Sequence, residues 1–295
     1  MRVSLINGGL GNQTFQYIFS KVIEQYTGEE CMLDDSSFFI KPDHNGYELE
    51  KVFGIKANLL SEKFSEDVWK LMIEQKKNGK DICQQLYDNG IDMFLVSEGC
   101  IYKYSGNSIL LPSNYKNDDL IQSVIRTYGN VYYYGYWIHR KWFDLIKDKI
   151  IEELKFPLIT DEKNKEYKSK IQGGKSISIH IRRGDMVDLG WALDEQFYVN
   201  AITYMTQKYT EYNYFIFSDD LKWCKDNEEK LGLKKIRNRI TYIEGNTGEN
   251  SFIDLQLMSM CNKMILANSS FSYLAALLNQ NKDLEVINPV INREV

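Results

Sequence analysis

The sequence predicts an α/β protein built on parallel sheets, and three observations carry that expectation. From residue 176 onward, short apolar strands alternate with helices, the pattern of a parallel sheet covered on both faces. The N-terminus runs from an apolar strand through a glycine-rich turn into a helix. The segment Ser-Ile-Ser-Ile-His-Ile-Arg-Arg-Gly-Asp ends at Asp185, and in it Ile177, Ile179 and Ile181 alternate with polar residues at the period of a strand. That strand runs straight into Arg182 and Arg183, and in an open α/β sheet ligands sit outside the carboxyl ends of the strands. At 295 residues the chain suits two such domains or one large one.

Taken in order, residues 3–6 read as the first strand and Asn7-Gly8-Gly9-Leu10-Gly11-Asn12 as a turn whose glycines let the backbone approach a ligand. Phe15, Ile18, Phe19, Val22, Ile23 and Tyr26 recur at helical spacing, and Gly28 is the C-terminal cap. The turn is neither a Gly-x-Gly-x-x-Gly fingerprint nor a phosphate-binding loop, so a tight strand-to-helix turn accounts for it as well. Residues 62–77 read as a helix with Val68, Leu71 and Met72 on its core face. Residues 81–111 mix apolar runs and tyrosines without clear punctuation. Residues 131–137 form a strand, and Phe143, Ile146, Ile150 and Leu154 repeat along a helix that Pro157 closes. The charged segment 160–171, followed by Gly173-Gly174, marks a seam, giving domains 1–158 and 159–295. Beyond it, strands 176–181, 213–217, 240–244, 263–267 and 285–288 alternate with helices 196–208, 221–230, 252–261 and 271–278.

Composition removes several function classes. Hydrophobic residues make up 43 % and charged residues 26 %, as in ordinary soluble globular proteins. The net charge of -5, from 36 basic and 41 acidic residues, argues against a nucleic-acid partner. A local basic pocket is still compatible with it. Cys31, Cys83, Cys100, Cys224 and Cys261 are odd in number and contain no Cys-x-x-Cys pair, so neither a disulfide framework nor a zinc site is expected. Buried thiols in a reducing compartment account for them. His44, His139 and His180 form no spaced pair, so no metal site is expected there. The apolar start meets glycine too soon for a signal peptide, and no window is apolar enough to span a membrane. The expectation is a cytoplasmic chain that meets membranes, if at all, from outside.

Three loops at strand ends share the ligand edge: His180 to Asp185, then Phe217-Ser218-Asp219-Asp220, then Asn268-Ser269-Ser270-Phe271-Ser272. Paired guanidinium groups suit phosphate oxygens, because each offers a planar fork of donors. Arg182 and Arg183 therefore read as the grip on the diphosphate of a nucleotide-sugar, or else as surface arginines paired with Asp185. A carboxylate can accept from the N1 and N2 donors of guanine, so Asp219 or Asp220 would select that base; an Asp before Leu221 is equally a helix N-cap. Ser269 or Ser270 at a helix start is either an N-cap or part of an anion site.

At this point the residues resemble a family. Gly8-Gly9-Leu10-Gly11-Asn12-Gln13-Thr14-Phe15-Gln16-Tyr17, Gly135-Tyr136-Trp137 with Lys141-Trp142-Phe143, and His180-Ile-Arg-Arg-Gly-Asp185 are similar to segments of the α-1,2-fucosyltransferases, glycosyltransferase family 11. So are the block from Phe217 to Asn227, that from Asp254 to Cys261 and that from Ala267 to Asn279. The likeness runs in order over nearly the whole chain. Tyr273 and Leu274 stand where the family often has tryptophans, and Met186 where an aromatic residue is common.

The resemblance implies two Rossmann-like domains facing a cleft, the GT-B type, with GDP-fucose on the second half and the acceptor side on the first. It implies transfer of fucose to the 2-hydroxyl of a galactose-type sugar, with inversion and no obligatory metal or other cofactor. The acceptor would be a galactose-terminated oligosaccharide or lipid-linked glycan, met in lipopolysaccharide assembly at the cytoplasmic face by a peripheral protein. Arg182 would stabilise the charge that builds on the β-phosphate, assisted by Ser269, Ser270 and backbone donors near Phe271. His180 is carried over as a nucleotide contact; the other reading is a core histidine. Asp185 is either the general base or the partner that holds an arginine. Asn12, with Gly9 and Gly11 in the glycine-rich turn, would face acceptor or fucose, and departing phosphate could itself take the proton. The rival readings are a fucosyltransferase of another linkage and a nucleotide- or sugar-binding module without catalysis.

Overall fold

The computed structural model describes residues 1–41, 44–99, 103–112 and 118–289, so Cys100 lies outside the described residues. They divide into two compact units, one ending at Lys155 and the next starting at Phe156. Each holds a five-stranded, fully parallel sheet among the described residues.

In the first unit the strands are β1 (Arg2–Leu5), β2 (Cys31–Asp34), β3 (Met93–Glu98), β4 (Ser108–Leu111) and β5 (Asn130–Tyr134), ordered β2-β1-β5-β3-β4. Helix Leu10–Thr27 buries Phe15, Ile18, Phe19, Val22 and Ile23. It ends at Gly28, whose φ of 72° lies in the left-handed region and whose N–H bonds to the Glu24 carbonyl. The helix starts at Leu10, so Gly11 and Asn12 belong to its first turn and not to the loop before it.

Three expectations fail here. Helix Glu66–Lys77 turns Val68 and Leu71 to solvent, 45 % and 59 % exposed, and buries Trp69, Met72 and Ile73. Trp69 is the reason: its ring packs between Phe39 and Phe64 at 5.7 and 6.0 Å. The two candidate faces have the same spacing, one residue out of step, so period alone could not choose. Residues 143–154 form two helices, Arg140–Leu145 and Lys147–Glu153, broken at Ile146. Phe143, Ile146, Ile150 and Leu154 are all buried regardless, so the break leaves no mark on the apolar spacing. The strand expected over 131–137 ends at Tyr134, and Trp137 takes φ 55°, a strained value for a bulky residue. Stacking on Phe19 at 3.9 Å and full burial hold it there.

The second unit contains β6 (Ser176–Ile181), β7 (Asn213–Ser218), β8 (Ile240–Tyr242), β9 (Lys263–Ile265) and β10 (Glu285–Ile287), ordered β10-β9-β6-β7-β8. All six residues of β6 are buried, the polar ones included, as befits a central strand covered on both faces. The chain lays β7 and β8 on one side of β6 and β9 and β10 on the other. The order therefore reverses between β6 and β9, the switch point at which doubly wound sheets bind ligands. The helices expected over 221–230 and 252–261 are shorter, Leu221–Asp226 and Phe252–Met258. The charged segment 160–171 mostly forms helix Glu162–Gln172, capped by Asp161 and packed through Tyr167 and Ile171.

A polar network ties that helix to Phe252–Met258. Asn164 and Asn246 exchange side-chain hydrogen bonds at 2.8 and 2.9 Å, and Asn246 donates to Asp254 at 2.7 Å. Burial outweighs that bond and pushes the Asp254 carboxyl up to about 7. Between its ordinary range and that value the folded state holds a proton that the unfolded state has lost, so stability is present at low pH and falls as pH rises. The expected result is a melting temperature that declines from pH 4 to pH 7 in the wild type, with a flatter decline in Asp254→Asn. Parallel curves for the two proteins would remove Asp254 as the cause.

Candidate functional site

The carboxyl end of β6 brings the charged motif to the switch point. Register places Ile181 opposite Ser218, so the residues just beyond them, Arg182 and Asp219, meet across adjacent strands. Arg182 Nη1 lies 2.7 Å from Asp219 Oδ2, and its Nη2 lies 2.6 Å from Asp185 Oδ1. The Arg183 backbone N–H donates to Asp219 Oδ1 at 2.8 Å. The Arg183 guanidinium carbon lies over the Trp223 ring, 3.6 Å from its centroid, a cation–π contact. Gly184, at φ 22°, leaves the room Asp219 uses: a Cβ there would stand 2.5 Å from Asp219 Oδ2.

Asp220 is the N-cap of helix Leu221–Asp226, accepting from the Trp223 N–H at 2.9 Å. Both carboxylates offered for guanine are thus engaged within the protein, Asp219 with the arginine segment and Asp220 with the helix. Asp220→Ala is expected to lower stability by about 1 kcal/mol, a cap's usual contribution, visible as a lower melting temperature. Preference for GDP over ADP, measured by calorimetry, should stay as it was; a lost preference would return Asp220 to base recognition.

His180, near the end of β6, is 6 % exposed. Burial, and then the charge of Arg182, pull its pKa down to about 3, so the imidazole is neutral at physiological pH. It can meet a nucleotide as a hydrogen-bonding ring, not as a cation. Its ring lies 6.0 Å from Phe271, at the start of helix Ser270–Leu278. Ser269 caps that helix, its Oγ accepting from the Phe271 N–H at 3.3 Å. Ser270 and Phe271 are half-buried at the helix start. Asn268 Nδ2 donates to the Trp191 carbonyl, tying the loop after β9 to the loop after β6.

Three buried polar atoms on these loops have no hydrogen-bond partner: His180 Nδ1, Arg183 Nε and Asn268 Oδ1. Such atoms are costly unless a ligand or water satisfies them, and their gathering at one switch point marks a polar site. His180, Arg182, Arg183, Asp185, Asp219, Asp220, Ser269, Ser270 and Phe271 all belong to this edge of the second unit. Trp223 escaped the sequence reading because only strand register brings it under Arg183.

Gly9, Gly11 and Asn12 stand on the first unit, where the glycine-rich turn is largely filled by protein. Gly8 has φ 72°, and a Cβ on it would meet Asn12 Nδ2 at 2.6 Å; the His44 ring covers Gly9. Gln13 donates to the carbonyls of Gly8 and Gly46 and accepts from the Glu48 N–H. Gln16 bonds Asn7 twice and reaches the Gly135 carbonyl at 3.0 Å, joining the ends of β1 and β5. Glu48 is 2 % exposed and accepts from the Leu10 N–H, so its carboxylate sits on the free N-terminus of the helix. Burial raises its pKa, opposed by the bonds from Asn45 and Leu10. Gly11 is buried within the helix, which removes it from the ligand-facing turn expected from sequence. Gln13, Gln16 and Glu48 went unread; the signal was two glutamines three apart at a helix start.

Among the described residues no three His, Cys, Asp or Glu side chains are grouped to hold a metal ion, and no helix is long and apolar enough to cross a membrane. Residues 114–294 match the family model described as glycosyl transferase family 11. An α-1,2-colitosyltransferase of Escherichia coli is 28 % identical over 96 % of this chain and 89 % of its own length. The E. coli O-antigen biosynthesis glycosyltransferase WbnK is 26 % identical over 97 % of this chain and 93 % of its own. Among solved structures, a mutant Arabidopsis thaliana FUT1 in complex with GDP superposes with a TM-score of 0.50 at 13 % identity, covering 99 % of this chain and 71 % of that one. That likeness is one of fold: two parallel-sheet α/β units in one chain, the GT-B type.

Proposed function

The chain belongs to glycosyl transferase family 11, and from that premise we propose that it is an inverting α-1,2-fucosyltransferase that moves fucose from GDP-fucose to the 2-hydroxyl of a galactose-type acceptor. The observation that carries the donor reading is Arg182, presented at the switch point of the second unit beside unsatisfied His180 and Asn268 atoms. The relative named for α-1,2 transfer supports the linkage. In the reaction the acceptor oxygen bonds to the anomeric carbon as the carbon–oxygen bond to the β-phosphate breaks. The electron pair leaves on phosphate, where Arg182 and the amide donors at the start of helix Ser270–Leu278 stabilise it. The hydroxyl proton goes to a carboxylate, Asp185 being the nearest to Arg182, or to the departing phosphate. Asn12 and Gly9 are assigned to the acceptor side. The proposal includes transfer without an obligatory metal.

A second reading concerns the sugar. The same relative is named for colitose, which lacks the 3-hydroxyl of fucose, so GDP-colitose is the rival donor. GDP-fucose and GDP-colitose are each to be offered with galactose-terminated disaccharides in EDTA, and the product linkage read by NMR. Fucose on the 2-hydroxyl of galactose, β-linked donor giving α-linked product, is the expected result. Transfer from GDP-colitose alone would replace the sugar, another linkage would replace the acceptor, and transfer abolished by EDTA would reinstate a metal. GDP binding with no transfer from either donor would favour a binding module.

A further inference from the structure

A diphosphate site should offer positive charge, and this one is not positive at rest. Asp185, Asp219 and Asp220 stand against Arg182 and Arg183, and His180 is neutral. Asp220 is engaged at its helix and Arg183 lies on Trp223. Both terminal nitrogens of Arg182 already carry a carboxylate.

The two carboxylates are not equivalent. The Asp219 side chain is 25 % exposed, accepts from the Arg183 N–H through its second oxygen, and lies against the backbone at Gly184. The Asp185 side chain is 50 % exposed, and Arg182 is its one ion-pair partner among the described residues. An exposed pair of that kind is weakly held. A diphosphate offers more charge and more oxygens to the same fork of donors.

We propose that Asp185 is a displaceable counter-ion: the diphosphate of the nucleotide-sugar takes Nη2 of Arg182 and expels Asp185, while Asp219 stays and keeps the guanidinium aimed. This rests on the nucleotide-sugar reading given above. While no donor is bound, Asp185 sets a threshold that weakly held anions do not pass, a specificity device built on competition.

The test is calorimetric titration of the full chain with GDP, and with inorganic pyrophosphate as a probe that lacks the base. Asp185→Asn removes the competitor, so GDP is expected to bind about fivefold tighter, the equivalent of ~1 kcal/mol, and pyrophosphate to tighten by the same factor. Asp219→Asn, which loosens the aim of Arg182, is expected to bind both probes more weakly. The exposed Asp185 side chain makes unchanged melting of Asp185→Asn the expected control; if that variant melts early, Asp185→Ser is titrated in its place with the same expectation. Equal or weaker GDP binding by the Asp185 variant would overturn the displacement and leave the nucleotide-sugar reading standing. Tightening by both variants would overturn the asymmetry. A wild-type chain that binds neither GDP nor pyrophosphate would overturn both readings together.

Discussion

Arg182→Ala is expected to cut sugar transfer at least a hundredfold in kcat/KM, with folding retained. Removing one preorganised donor to a developing charge typically costs about 3 kcal/mol, roughly a hundredfold in rate, and alanine removes a whole cation. It also leaves Asp219 beside a vacated position and turns the local charge further negative. Arg182→Lys is expected to be nearly as damaging. A lysine has one charged nitrogen, whereas Arg182 uses two nitrogens on two different partners, 2.6 and 2.7 Å away. Steady-state kinetics with circular dichroism as the fold control decide it. A lysine variant with near-native turnover would reject the two-point geometry.

Gly184→Ala is the second large effect, and it comes from a residue with no functional group. The added methyl would stand 2.5 Å from Asp219 Oδ2 on a backbone at φ 22°. Asp219 must then move, and with it go its bonds to Arg182 and to the Arg183 N–H. A misplacement of about 1 Å in a positioned group can cost on the order of a hundredfold. The expected result is a loss of kcat/KM on the order of tenfold to a hundredfold, with a lowered melting temperature from the strained backbone and circular dichroism showing the fold retained. Because the displaced group aims Arg182, GDP binding should weaken in parallel. Full activity in Gly184→Ala would show that Asp219 is free to adapt and that the aim of Arg182 is set elsewhere.

The second unit was legible because its strands are short, apolar and separated by helices, so each β-strand announced itself between turns. The extra information in space is the strand order. Alternation alone does not say that β9 returns to the far side of β6, yet that return creates the switch point. The charged motif was likewise readable as a motif, while the pairing of Arg182 with Asp219 depends on the register between β6 and β7, which sets Ile181 opposite Ser218. The first unit was harder. Its helix Glu66–Lys77 offers two apolar faces of equal spacing, and only the packing of Trp69 chooses between them. The break at Ile146 was invisible because the buried residues keep their spacing across it. Gln13, Gln16 and Glu48 act through contacts with segments far along the chain, so two glutamines three apart mark a helix start without revealing their partners.

The carboxylate of Glu48 on the N-terminus of helix Leu10–Thr27 has a consequence for chemistry at the first unit. A helix end of this kind ordinarily attracts anions, and here that attraction is already satisfied from within. A second negative group arriving at the glycine-rich turn would meet repulsion, whereas an uncharged, hydroxyl-bearing molecule would meet the Asn12 amide and backbone carbonyls without an electrostatic penalty. The buried carboxylate thus lowers the affinity of that end of the first unit for anions, whatever ligand it meets.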